Sequence, residues 1–360
     1  MLDFILGIIA GILMALTPGL HINLIKDIAL TDNFLIAAAG AFLIFNIIQI
    51  FVFYTSIPEE IAGLPLIVKL SKKYSQKAII IYHALGALFG IVFAYLFYND
   101  GMIQSIYNII KPYFAYILIL ASLLLIVKSK NRKIFATFFI ISGLLGFAVF
   151  SSVDKEPFLP LFSGLFSLPL LLIKKKQNQE KEWHEKNSKI NIFEIFFSSL
   201  VGSFLGFIAI LLPSISSPSV ISMLILPAIN NITYISILSS ITSSQYLYGM
   251  HSLTEINKPR IGWISGLKSI NIELLIVSCF ISSILIFLFL NKIKLLNSFY
   301  SLRPLAIFYI ILLTLLLSGI AGIVALFSSA VFGLFAATKD VEKTSLLGCL
   351  TLPTIMNFLF

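Results

Sequence analysis

Two short polar segments follow prolines within otherwise apolar stretches of the chain. Hydroxyl and amide side chains there can donate hydrogen bonds without burying a full charge. A helix that restarts after a break also offers free backbone N–H groups at its positive end. This combination is typical of weak, reversible binding of a carboxylate or a phosphate. The candidate binding residues are Thr17, Pro18, Gly19, His21, Asn23, Pro213, Ser214, Ser216, Ser217 and Ser219.

A plainer interpretation exists for both segments. Proline removes a backbone donor and clashes with the preceding turn, so Pro18 and Pro213 could simply kink continuous helices. His21 alone could be an interior histidine with satisfied hydrogen bonds. The spacing favours broken helices instead, because two glycines and a proline recur at a constant offset of 195 residues. The matched positions are Gly7, Gly11 and Pro18 in the first segment and Gly202, Gly206 and Pro213 in the second.

A second group of polar residues lies outside these segments. Several sit within apolar runs, where hydrogen bonds between helices explain them as readily as a substrate path. Two glutamates follow Pro58, where a cap at the membrane interface competes with a second re-entrant element. The secondary candidates are Asn46, Glu59, Glu60, Ser244, Gln245 and Arg260, and Gln49 belongs to the same polar set.

The elements that carry these residues are predicted to be transmembrane helices. Hydrophobic residues make up 59% of the 360 residues, charged ones 11%, and the mean hydropathy is +1.01. Lipid requires every backbone group to be paired internally, and the apolar runs lack the alternation of a barrel. We therefore expect an all-α polytopic transmembrane bundle. The clearest runs are Ala78–Phe97, Tyr113–Val127, Ile134–Phe150, Ile272–Leu290 and Pro304–Gly319.

Charge and motifs argue against several other functions. The net charge of +9 comes from lysines in short loops between apolar runs, which is the pattern of the positive-inside rule. Nucleic acid is therefore not an expected partner, whereas the lipid bilayer is. No HExxH, GxSxG or Walker motif occurs, so a membrane enzyme or an ATP-driven pump is disfavoured. No metal or cofactor is predicted beyond a coupling ion, Na⁺ or H⁺.

The chain divides near its middle into two related halves. Residues 174–189 form a charged, cytoplasmic linker between N-terminal and C-terminal transmembrane repeats, residues 1–173 and 190–360. Basic loops predict opposite orientations for the halves, as in many secondary transporters. For the basic loops to lie on the cytoplasmic side in both halves, each half must contain about five spans plus one proline-broken re-entrant hairpin. The hairpins are roughly Leu2–Leu30 and Ile190–Ile229. One loop disagrees, because His251–Lys268 should be outside yet carries Lys258, Arg260 and Lys268.

Five segments, which follow one another along nearly the whole chain, together resemble a known family. They are Pro18-Gly19-Leu20-His21-Ile22-Asn23, Pro58-Glu59-Glu60 with Leu64-Pro65, Ser142–Leu172, Asn257–Gly262 and Leu347–Thr354. In these segments the chain resembles the archaeal branch of the TctA-like family, the large membrane subunit of tripartite tricarboxylate transporters. Two positions depart from the family pattern, because Ser214 stands where glycine is usual and Ile22 where proline is usual.

The resemblance implies uptake of organic anions across the cytoplasmic membrane, driven by an ion gradient. It also implies a small membrane subunit and an extracytoplasmic binding protein as partners, although a stand-alone carrier is equally compatible. Two alternatives remain open at the level of sequence. One is a translocase for polyprenyl phosphates, whose head group the polar turns could hold. The other is a membrane scaffold subunit that transports nothing.

Overall fold

The computed structural model describes residues 1–17, 21–26, 29, 31–49, 70, 73–173, 189–214, 217–225, 231–290, 303–339 and 341–360. Within these ranges the chain is helical, with no strand. The helices are α1 Leu2–Leu16, α2 Asp32–Phe45, α3 Gln76–Phe97, α4 Met102–Ile110, α5 Phe114–Lys128, α6 Arg132–Ser152, α7 Phe158–Phe162, α8 Leu168–Leu172, α9 Ile192–Leu211, α10 Pro218–Ile225, α11 Thr233–Ile256, α12 Ile272–Phe289, α13 Arg303–Thr338 and α14 Gly348–Leu359. Short 3₁₀ or π turns cover Ile22–Ile25, Lys111–Tyr113, Ser163–Ser167, Gly262–Gly266 and Lys343–Leu347.

Seven helical stretches in the described part of the chain are long and apolar enough to cross a bilayer. The protein is therefore an all-helical, multi-pass membrane protein, as the hydropathy predicts. Four of the five apolar runs singled out in the sequence fall within these stretches, and the fifth, Ile272–Leu290, extends one residue beyond its stretch. The seven are Asp32–Gln49, Gln76–Phe97, Met102–Lys128, Arg132–Ser152, Ile192–Leu211, Ile272–Phe289 and Arg303–Thr338.

The longest of these stretches, α13, is broken at Gly319. Its 36 residues would extend about 54 Å as a straight helix, well beyond a hydrocarbon core of about 30 Å. Gly319 has a φ of 67°, and a side-chain carbon placed on Gly322 would lie 3.4 Å from Thr314 Cγ2. In a continuous helix, Thr314 and Gly322 are eight residues apart and would be separated by about 12 Å along the axis. The chain therefore folds back at Gly319 into a helical hairpin.

The helices α1 and α2 lie side by side and run in the same direction. The hydroxyl of Thr31 donates to the Asp3 carboxylate (3.2 Å) at the start of both helices. Further along, Gly7 faces the backbone of Phe34 and Gly11 faces that of Ala38, too close to admit a side chain. Residues later in α1 contact residues later in α2, so the two helices are parallel. The segment that connects them must therefore run back to the side where α1 began.

The helices α9 and α11 repeat this arrangement in the second half. Gly202 faces the carbonyl of Ile237, and Gly206 faces that of Ile241, so these two helices are also parallel. The segment after Leu211 therefore returns to the end at which α9 began.

Each pair is completed by a helix from the other half of the chain. On α3, Gly86 packs against Ser236 of α11, whose hydroxyl donates to the carbonyl oxygen of Tyr82 (3.0 Å). On α2, Gly40 packs against Ser278 of α12. The glycines matter here because small residues let helix backbones approach closely.

The two three-helix groups run in opposite directions. The carboxylate of Asp32, at the start of α2, accepts a hydrogen bond from the amide of Ser269 (2.8 Å), in the loop that follows α11. Near the other end of α2, the carbonyl oxygen of Leu43 lies 3.0 Å from Nε2 of His83, close to the start of α3. The helices α3 and α11 run in the same direction, and the start of α2 lies beside their ends. The helix α2 is therefore antiparallel to both.

Candidate functional site

A cavity of about 850 Å³ lies where the broken helices α1 and α9 end, within the usual size range of small-molecule sites. His21 and Asn23 from the first turn line it, together with Ser214 and Ser217 from the second. The two polar segments that the sequence singles out therefore border one shared space.

The first turn begins where α1 stops at Leu16 and Thr17 becomes extended. The end of a helix leaves carbonyl oxygens without intrahelical donors. Here Gln49 Nε2 donates to two of them, the carbonyl oxygens of Met14 (3.3 Å) and Thr17 (3.2 Å). The side chain of Gln49, which also lines the cavity, therefore caps the broken helix.

Beyond the break, the first turn is fixed by two further hydrogen bonds. His21 Nδ1 accepts one from the amide of Asn23 (3.2 Å), so a neutral His21 carries its proton on Nε2. Asn23 Oδ1 accepts another from the amide of Trp263 (2.7 Å), in the loop between α11 and α12. The first bond stays within the turn, and the second joins the turn to the second half of the chain.

The second turn is shaped by its own backbone. The helix α9 ends at Leu211, before Pro213, so the chain leaves the helix there and is not merely kinked. Ser214 adopts a left-handed conformation with a φ of 60°, which normally favours glycine. Its buried hydroxyl has no hydrogen-bond partner among the residues that the structure describes.

Arg260 supplies a positive charge to the cavity. Its guanidinium lies over the rings of Tyr107 (5.1 Å) and Phe114 (5.9 Å), which hold its plane by cation–π contact. Nε and Nη2 have no partner within the described ranges. Burial lowers the pKa of this group, yet arginine stays protonated in proteins. An anion could therefore bind to a preoriented guanidinium.

A second cation at the cavity is already neutralised. Lys26 Nζ lies 2.6 Å from Glu156 Oε1, and both residues line the cavity. The pair joins the first turn to the connection between α6 and α7. It closes the cavity on that side without adding net charge.

The remaining wall of the cavity contains a block of apolar side chains. They come from α6, α7, α14 and the turn before α14, and α6 and α14 also contribute the polar residues Ser151, Thr354 and Asn357 to the lining. These apolar residues are Phe147, Phe150, Phe158, Leu159, Phe162, Leu347, Leu350 and Pro353.

The structure separates the sequence candidates into three groups. Four candidates are described but do not line the cavity, namely Thr17, Pro213, Asn46 and Ser244. Six others fall outside the described residues, namely Pro18, Gly19, Glu59, Glu60, Ser216 and the side chain of Ser219. Among the first group, the Thr17 hydroxyl donates to the carbonyl of Leu13 (2.8 Å) and the Ser244 hydroxyl to that of Ser240 (2.7 Å). The candidates that line the cavity are His21, Asn23, Ser214, Ser217, Gln245 and Arg260.

Other cavity residues were missed by sequence reasoning. Lys26 and Glu156 stand in loops, where charges are ordinary, and nothing in the sequence pairs them. The phenylalanines are indistinguishable from lipid-facing ones by type. The unexpected basic charge of the loop that contains Arg260 was the one available signal, since that arginine faces the cavity.

The chain has a distant relative among known proteins. The chain is 27% identical to an uncharacterized protein of Methanocaldococcus jannaschii, in an alignment that spans 100% of this chain and 99% of the relative. No protein-family model matches the chain. No solved structure matches it either.

Proposed function

We propose that this protein is a secondary transporter that moves a small organic anion across the cytoplasmic membrane. The observation that carries the proposal is the cavity shared by the two turns, with Arg260 in its lining, whose Nε and Nη2 have no partner among the described residues. Guanidinium and hydroxyl donors at such a site suit a carboxylate. The transport is driven by a gradient of Na⁺ or H⁺.

We further propose that the two halves are inverted repeats with re-entrant hairpins. The parallel pairs α1–α2 and α9–α11, which run in opposite directions, support this arrangement. With the hairpin at Gly319 counted as two spans, α13 fits the proposed count of about five spans in the second half. Alternating access would then follow from rocking of one helix group against the other around the cavity.

Membership of the TctA-like family is part of the same proposal. It rests on the matching segments, two of which, Asn257–Gly262 and Leu347–Thr354, contribute residues to the cavity. The associated partners, a small membrane subunit and an extracytoplasmic binding protein, belong to the proposal as well.

Uptake into liposomes tests the proposal. Purified protein is reconstituted, and accumulation of labelled carboxylates is measured under imposed Na⁺ and H⁺ gradients. We expect Arg260→Gln to reduce uptake at least 100-fold, because it removes the charge that binds the anion. Lys268→Gln is the matched control, since Lys268 lies in the same loop outside the cavity lining and should transport normally. No uptake of any carboxylate by folded protein would refute the function.

The apolar block gives a second candidate function some support. Phenylalanines beside an anion site would also suit a polyprenyl phosphate, with the head group at Arg260. Flipping of a labelled polyprenyl phosphate in liposomes, without uptake of soluble anions, would favour this lipid translocase over the carrier.

A further inference from the structure

We propose that the substrate is a monocarboxylate with a bulky apolar body, and not a di- or tricarboxylate. This inference rests on the proposed transport function and deepens it. It follows from the balance of charge in the cavity and from the block of apolar side chains in its lining.

The charges of the lining residues match one negative charge. Among the described lining residues the permanent cations are Lys26 and Arg260, and the only carboxylate is Glu156. Lys26 is paired with Glu156 at 2.6 Å, which leaves Arg260 as the one uncompensated permanent charge among these described lining residues. A second or third carboxylate on the ligand would be buried without a permanent cation to balance it, which is strongly unfavourable.

Polar side chains reach the cavity from several elements, among them Ser151 of α6, Ser163 and Ser167 of the π turn, and Thr354 and Asn357 of α14. Asn23 belongs to the first turn, Ser214 to the second, and Arg260 to the loop after α11. Arg260 offers Nε and Nη2, a pair of donors that matches the two oxygens of one carboxylate, and Ser214 offers a hydroxyl. Arg260 alone can therefore bind both oxygens of one carboxylate.

The apolar block is prearranged to receive a hydrocarbon group. The ring of Phe158 packs edge-to-face on Phe150 (5.1 Å) and stacks with Phe162 (6.2 Å), so the aromatic residues support one another. Leu350 and Pro353 of α14 extend the same surface. A cavity of about 850 Å³ is larger than acetate or succinate requires, and the apolar part would stay in contact with water if the ligand were small and polar.

A binding series on the purified full-length protein tests the inference. Dissociation constants are measured for acetate, butanoate, hexanoate and 4-phenylbutanoate, beside succinate and citrate. We expect Kd to fall roughly fourfold for each methylene that becomes buried. Citrate and succinate should bind at least tenfold more weakly than hexanoate.

The apolar block is tested by substitution. Phe162→Ala should flatten the dependence of Kd on chain length while leaving acetate binding unchanged. Phe162→Leu retains apolar volume and should preserve most of the slope, which separates a contact effect from misfolding. Phe97→Ala is the control, because Phe97 is exposed on α3 and does not line the cavity.

The outcomes separate this inference from the function on which it rests. Tighter binding of citrate or succinate, or a Kd independent of chain length, would overturn the monocarboxylate while leaving anion transport in place. Tighter binding of farnesyl phosphate than of any carboxylate would overturn it in favour of the lipid. Failure of folded protein to bind or transport every anion would remove the proposed function itself.

Discussion

The two turns that border the cavity are stabilised by different means. The first is held by hydrogen bonds to other elements, since the side chain of Gln49 caps the end of α1 and Asn23 accepts a hydrogen bond from the backbone amide of Trp263. The second is shaped by its own backbone, with Ser214 in a left-handed conformation and its hydroxyl without a partner in the described part of the chain. Related segments at matched positions thus use their polar groups differently.

This difference predicts separate roles for the two turns. The amide of Gln49 already serves the protein and is not free for a ligand, whereas the hydroxyl of Ser214 has no partner among the described residues. We therefore expect substitutions in the first turn to act mainly on stability. Those in the second turn should act mainly on binding.

The largest expected effect concerns the helix pairs that carry the turns. In Gly11→Ala the new methyl group meets the backbone of Ala38, which cannot move aside, and we expect a loss of about 3 kcal/mol. In Gly206→Ala it meets mainly the side chain of Ser244, so the loss should be about 1.5 kcal/mol. Thermal unfolding in detergent measures both.

The double variant Gly206→Ala with Ser244→Ala sharpens this test. Removing the Ser244 hydroxyl should restore part of the lost stability. No analogous rescue exists for Gly11, whose nearest neighbour is a backbone oxygen. Equal losses for the two single variants, without rescue, would contradict the packing account.

Gln49→Leu should produce the next largest effect. It removes the donor to the carbonyl oxygens of Met14 and Thr17, and buried groups that lose a partner cost about 1–3 kcal/mol. We expect the melting temperature to fall and substrate binding to weaken with it. Gln49→Glu also lacks the donated amide and should be no better, whereas unchanged stability in Gln49→Leu would show that the cap is dispensable.

Asn23→Leu should have a smaller effect that can be assigned to one site. Loss of the acceptor for the amide of Trp263 should cost about 1 kcal/mol. Hydrogen exchange at that amide should become faster while exchange in α9 stays as it was. Uniformly faster exchange would instead indicate general destabilisation.

Ser214→Gly should have the smallest effect on stability, and of opposite sign. Glycine adopts a positive φ without strain, so we expect a gain of about 0.5–1 kcal/mol. The same change removes a hydroxyl from the cavity and should weaken anion binding roughly tenfold. Ser214→Ala separates the two effects, because it lacks the hydroxyl and keeps the strain.

The sequence was sufficient to predict the helices and the position of the breaks. Lipid imposes internal hydrogen bonding, so long apolar runs can be interpreted with little ambiguity, and α9 indeed ends ahead of Pro213. The sequence could not predict that α3 packs with helices of the second half and α12 with helices of the first half. Gly86 and Gly40 permit close approach to any small-residue surface, and their spacing does not identify the partner.

The site was only partly predictable for a related reason. Residues in a local polar segment, such as His21 and Ser214, stand out against an apolar background. The sequence treated Ser244 as a candidate because it is polar, yet its hydroxyl donates within α11 and packs on Gly206. Phe150 and Phe162 resemble membrane-facing residues by composition, and only the tertiary arrangement brings them to the cavity.

The packing of α3 and α12 with the other half of the chain also affects folding during synthesis. While the ribosome is still synthesising the second half, α2 and α3 have already emerged but lack α12 and α11, against which they pack. Their small-residue surfaces must therefore be shielded by lipid or by the insertion machinery until late in synthesis. Fragments divided at residues 174–189 should accordingly be degraded when expressed alone and assemble when both are made in the same cell.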